Sequence, residues 1–124
     1  MNGFYVTPHA VEQFQTRIAL LVPQEVRQEI LSQFLPWECE LFGYARWNKS
    51  VSPVFLGRYE DKKYLIPMQT GTEGKGRGIL IPTILTIDAS KTMHWERNTG
   101  KAKAKWLAEL SGMPIQNLLP RPQS

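Results

Sequence analysis

The chain has 124 residues, is 42% hydrophobic and 10% aromatic, and carries fifteen Lys and Arg against eleven Asp and Glu for a formal charge of +4. That length suits one domain around one core, and the composition excludes collagenous, wholly disordered and membrane-spanning classes. The positive charge suits an acidic partner, and it gathers in the Lys75/Arg77 loop and between Lys91 and Lys105, where Lys101, Lys103 and Lys105 fall close together.

Thr7 is a good N-cap, Pro8 fits the first helical position, and Val11, Phe14 and Ile18 recur at helical spacing, which predicts a helix from about Pro8 to Leu20. A second helix is predicted from Pro23 to about Phe34, with Val26, Ile30 and Phe34 every four residues and Pro36 beyond it. The two form a hairpin whose core side would hold Val11, Phe14, Ile18, Val26 and Ile30. Leu41 to Trp47 is a weak strand. Val54 to Tyr59, Lys62 to Thr70 and Gly78 to Ile87 are rich in β-branched and aromatic residues, separated by turn or glycine-rich segments, and read as an antiparallel meander. A last helix should run from about Gly100 to Ser111, capped by Thr99, striped by Ala102, Trp106 and Leu110, and stopped by Gly112 and Pro114. The predicted fold is thus α+β: an N-terminal helical hairpin on a three- to four-stranded antiparallel meander, then a C-terminal helix. One domain spans 1–114 and a short tail 115–124.

No apolar run approaches the ~20 residues of a spanning helix, so no membrane segment is expected. Met1 to Thr7 has no signal-peptide pattern, and the single cysteine, Cys39, cannot form an intrachain disulfide. A reducing, cytoplasmic setting is expected, with Cys39 as a packing residue. Gly71 to Gly78 resembles a phosphate loop in composition but lacks the P-loop spacing and joins two strands, so it reads as a flexible hairpin loop. His9, His94 and Cys39 are not paired at short spacing, and neither a metal nor another cofactor is expected.

Two sets of residues remain as site candidates. His9, Gln13 and Arg17 follow at i, i+4 and i+8 on the polar side of the first helix, either as a functional row or as its solvated face. The second set follows from strand register. A tight turn at Glu60 and Asp61 pairs Arg58 with Lys63 and Val54 with Pro67, and a symmetric hairpin around Gly71 to Gly78 pairs Pro67 with Pro82. Phe55, Tyr59, Tyr64, Ile66, Met68, Ile79, Ile81 and Leu85 then share the face that meets the helices. Arg58, Lys63 and Thr86 share the other, as a candidate anion site.

The stretch from Thr7 to Ile18, TPHAVEQFQTRI, resembles the opening of small bacterial and phage proteins related to RelE-type ribonuclease toxins, in which a His-Ala helix precedes an antiparallel sheet. The run Ile81 to Thr86 is similar to their late apolar strand, while Gln13 stands where such helices often carry a second arginine. The resemblance implies an RNA-directed, toxin-like protein, with metal-independent endoribonuclease activity as its enzymatic form. His9 would then be the acid or base, and Arg17, Arg58 and Lys63 would hold the phosphate. The competing expectation is a non-enzymatic phage or mobile-element factor that binds and inhibits a host protein or nucleic-acid complex, with the basic loop at Lys75 and Arg77 and the third helix as its nucleic-acid contacts. Partners on these two expectations are RNA or an acidic host protein. A third is self-association through the tail at Leu118 and Leu119.

Overall fold

The structure, a computed structural model, describes residues 4–33, 40–47, 50–73, 76–97 and 99–110. Lys75, Cys39 and the tail from 115 onward lie outside them.

A short strand, β1 (Phe4–Val6), leads into helix α1 (Pro8–Arg17), and α2 (Pro23–Ser32) completes a helical hairpin. Thr7 caps α1 as expected, its Oγ1 accepting from Ala10 N at 3.1 Å. The helix stops three residues short of Leu20. The chain turns at Ile18, and the carbonyls freed there find side-chain donors: Lys62 Nζ to Ile18 O and Gln15 Nε2 to Leu21 O, both at 2.8 Å.

Four strands follow: β2 (Glu40–Trp47), β3 (Ser50–Tyr59), β4 (Lys62–Pro67) and β5 (Gln69–Glu73). Then come β6 (Gly76–Ile81), β7 (Leu85–Thr86), a 3-10 helix at Ile87–Lys91, and helix α3 (Thr99–Leu110). The main sheet is antiparallel with order β2-β3-β4-β7. The hairpin of β5 and β6 belongs to a second sheet of order β1-β6-β5, in which β1 runs parallel to β6. The expected meander is therefore present but broken, and β1 was not anticipated.

The break has its cause at Pro67. Met68 N donates to Pro53 O at 3.1 Å, so N–H groups alternate along β4 and Pro67 points its missing donor toward the third strand. A continuous ladder cannot form there. β6 ends at Ile81, residues 82–84 cross over, and pairing with β4 begins only at Leu85. The expected pairing of Pro67 with Pro82 is absent, although the β5–β6 hairpin keeps the expected register, with Gln69 opposite Leu80 and Gly71 opposite Gly78. Its strands run on to Glu73 and Gly76, so the glycine-rich loop is shorter than expected.

The main sheet buries both faces. On one, Val11, Phe14, Ile18, Val26 and Ile30 of the hairpin pack against Phe55, Tyr64 and Ile66, with Ile79, Ile81, Ala102 and Trp106 in the same core. Phe14 meets the rings of Tyr59 and Tyr64 edge-on, at 5.9 and 5.3 Å between centroids. Each such fully buried side chain contributes about 1.5 to 3 kcal/mol before entropy is subtracted. On the other face Ala45, Val54, Leu56 and Leu65 are covered by Leu85, Ile87, Met93 and Trp95. Leu85 was expected on the helix side; its pairing with Leu65 places it opposite.

Candidate functional site

The first helix presents its polar row as expected, with His9 and Arg17 exposed and Gln13 half-buried. The helix is fastened at both ends to the crossover of residues 82–84. Thr7 Oγ1 lies 3.0 Å from Pro82 O, and Arg17 Nη1 donates to Ile84 O at 2.7 Å. Lys62 thus binds the carbonyl of Ile18 at the negative end of α1, and Arg17 lies in the last turn of the same helix, where cations stabilise it.

Arg58 and Lys63 stand opposite each other across β3 and β4, as expected, and both are exposed. Directly opposed like charges repel. Glu40 offsets one of them, its Oε1 lying 3.0 Å from Arg58 Nη2. Thr86 does not join this pair. It pairs with Tyr64, one position away from the expected register, and a one-residue slip turns a side chain to the other face. The slip arises at the Pro67 break, because β7 restarts after the crossover instead of continuing β6. The cationic row is therefore a pair, Arg58 and Lys63, while Thr86 lies on the side of α1, two residues beyond the carbonyl that Arg17 holds.

The two candidate sets consequently occupy opposite faces of the main sheet: His9 and Arg17 with the helices, Arg58 and Lys63 beyond the strands. Arg77 lies in β6 opposite Thr72, four residues before Ile81 and so roughly 13 Å along the strand from the start of α1. Among the described residues no group of three His, Cys, Asp or Glu side chains is placed to hold a metal ion, and no helix is long and apolar enough to cross a membrane.

A third surface has the least committed charge. After the 3-10 helix the chain crosses the second face and runs along the outer edge of β2. There Arg46 N donates to His94 O and Glu96 N to Tyr44 O, both at 2.8 Å, and Ala45 bridges Trp95. Glu96 also binds Arg46, Oε2 to Nη1 at 2.7 Å. The chain then passes through Arg97 into α3, whose Trp106 Nε1 donates to Val51 O at 2.9 Å. Arg97, Lys101 and Lys103 are exposed, and among the described residues none makes an ion pair. The sequence flags this stretch by charge density but gives no sign that it is anchored beside β2.

Another residue carries no motif at all. Gln33, at the end of α2, is buried, and its amide bonds both ways with the backbone of Arg58: Nε2 to Arg58 O at 2.9 Å, and Arg58 N to Oε1 at 3.0 Å. It stands in for a strand where β2 no longer flanks β3.

In comparisons with protein-family models, curated proteins and solved structures, no match to the chain is found.

Proposed function

We propose that the protein is RNA-directed and binds its target without cutting it, using the cationic segment from Arg97 to Lys103 as its electrostatic contact. The observation that carries this reading is the separation of the two expected half-sites. Metal-independent cleavage needs a proton acceptor, a proton donor and cations around one phosphate. His9 shares its face with Arg17, eight residues and roughly 12 Å along the helix, whose guanidinium is held by Ile84 O. The other pair meant to hold that phosphate, Arg58 and Lys63, faces away. Binding asks for less: exposed, uncommitted cations on a rigid support, which Arg97, Lys101 and Lys103 provide.

The test is single-stranded RNA titrated with the purified protein in chelator over a range of salt, alongside the triple variant Arg97→Ala/Lys101→Ala/Lys103→Ala and the single variant His9→Ala. Salt-sensitive binding of intact RNA is expected, and the triple variant should flatten the slope of log affinity against log salt by roughly 2, at about 0.7 per lost phosphate contact. Chelator-resistant cutting that disappears in His9→Ala would establish the ribonuclease instead. Absence of RNA binding, with a single host protein retained, would establish the inhibitor.

A further inference from the structure

On the strength of that RNA-directed reading, we infer that Phe42, presented by a β-bulge and backed by Trp95, is a stacking platform for an unpaired nucleobase of single-stranded RNA. Leu41 pairs with Phe55 and Gly43 with Val54, so Phe42 is the extra residue of β2 with nothing opposite it. Bulges re-aim the side chain they carry. Here an aromatic ring is turned outward and left 44% exposed on a strand whose neighbours Tyr44 and Ala45 are buried.

The ring is not loose. It rests on Trp95 at 5.5 Å between centroids with a 50° tilt. Trp95 is itself fixed, because its Nε1 donates to Ser90 O at 2.9 Å and its backbone bridges Ala45. Gly43 makes this approach possible, since a Cβ there would lie 2.9 Å from Trp95 Cε3. The bulge, the glycine and the anchored indole together hold the half-exposed phenyl ring in place at low conformational cost.

Charge supplies the rest of the match. Arg97 follows Trp95 by two residues and makes no ion pair among the described residues, so a phosphate flanking a stacked base would meet an uncommitted cation; Lys101 and Lys103 come further along the chain, in α3, whose Ala102 and Trp106 pack into the helix-side core. An aromatic face beside a cationic track is the combination by which proteins hold single strands with little sequence preference, each base contributing through its π-face. Duplex RNA, whose bases are already stacked on one another, should be held less well.

The experiment compares a short oligouridylate with an abasic ribose-phosphate chain of equal length and charge, using the full chain and the variants Phe42→Leu and Phe42→Tyr. The wild type is expected to bind the base-bearing strand about tenfold tighter than the abasic one. Phe42→Leu, apolar but without a π-face, should remove that preference while keeping abasic binding, and Phe42→Tyr should retain it. Circular dichroism of each variant confirms the fold. Equal preference in wild type and Phe42→Leu would overturn the stacking site while leaving RNA binding intact. Failure of the wild type to bind either strand would overturn the RNA-directed reading itself.

Discussion

Gly57 and Tyr64 face each other across β3 and β4 with no space for a side chain between them: a Cβ on Gly57 would lie 2.6 Å from Tyr64 Cζ and 3.0 Å from Ile66 Cδ1. The Tyr64 ring is held from another direction by Phe14, so it has little room to move aside. Gly57→Ala is therefore expected to destabilise the protein by about 1 to 3 kcal/mol through overpacking. Urea unfolding measures this, and the double variant Gly57→Ala/Tyr64→Leu should cost less than the two single changes added together. Strict additivity would mean that the two positions are not in the contact described.

What could be read in advance here, and what could not, follows from how local each signal is. Thr7, Pro8 and Pro23 act within one turn of their own helix, so both helix starts were legible in the sequence. The β3–β4 register was legible too, because a two-residue turn leaves little freedom in pairing. Beyond Pro67 the structure departs from the expected register at one point. The two prolines were expected to face each other with their missing donors pointing outward, whereas Met68 N bonds Pro53 O and so directs Pro67 inward. The direction of one N–H is set by tertiary pairing, and it decided the fate of Thr86, Leu85 and the third strand. The roles of Gln33 and Trp95 depend on partners 25 and 50 residues away in sequence, and nothing local announces them.

Gln33 substitutes for a strand, and its removal should be felt as a backbone defect. Gln33→Leu replaces the amide with an apolar side chain of similar size, and leaves the partly buried N–H and C=O of Arg58 without this partner. A cost of about 1 to 3 kcal/mol is expected, from unmet hydrogen-bonding groups. Hydrogen exchange at the Arg58 amide should accelerate well beyond that of the Ile66 amide. Unchanged protection at Arg58 would show that water replaces the glutamine without penalty.

Thr7 both caps α1 and ties it to the crossover between β6 and β7. Its backbone N donates to Ile81 O at 3.2 Å, and its hydroxyl accepts from Ala10 N while lying 3.0 Å from Pro82 O. Thr7→Val preserves shape and removes only the hydroxyl. A loss of about 1 to 2 kcal/mol is expected, at the upper part of the range for a cap because a cross-link is lost as well. Arg17→Ala should cost less, since the residue is exposed and contributes one bond to Ile84 O. Thermal or urea denaturation of the two variants checks the ranking, and an Arg17 change more costly than the Thr7 change would contradict it.

Tyr44 lies in the core on β2, and burial raises its phenol above the ordinary value of 10.0 by desolvating the phenolate. The native state then holds the proton more tightly than the unfolded chain does. Below the unfolded value both states are protonated and the contribution to stability is complete; as pH rises past it, the unfolded chain ionises first and stability falls. Tyr44→Phe has no proton to lose. The stability of wild type relative to Tyr44→Phe should therefore stay constant from pH ~7 to ~9 and decline above ~10. Taking the difference cancels the lysines that titrate in the same range. Urea unfolding of both proteins across that series makes the comparison. Parallel curves through the alkaline limb would mean that the phenolate is solvated in the native state, and that Tyr44 does not sit in the core as described.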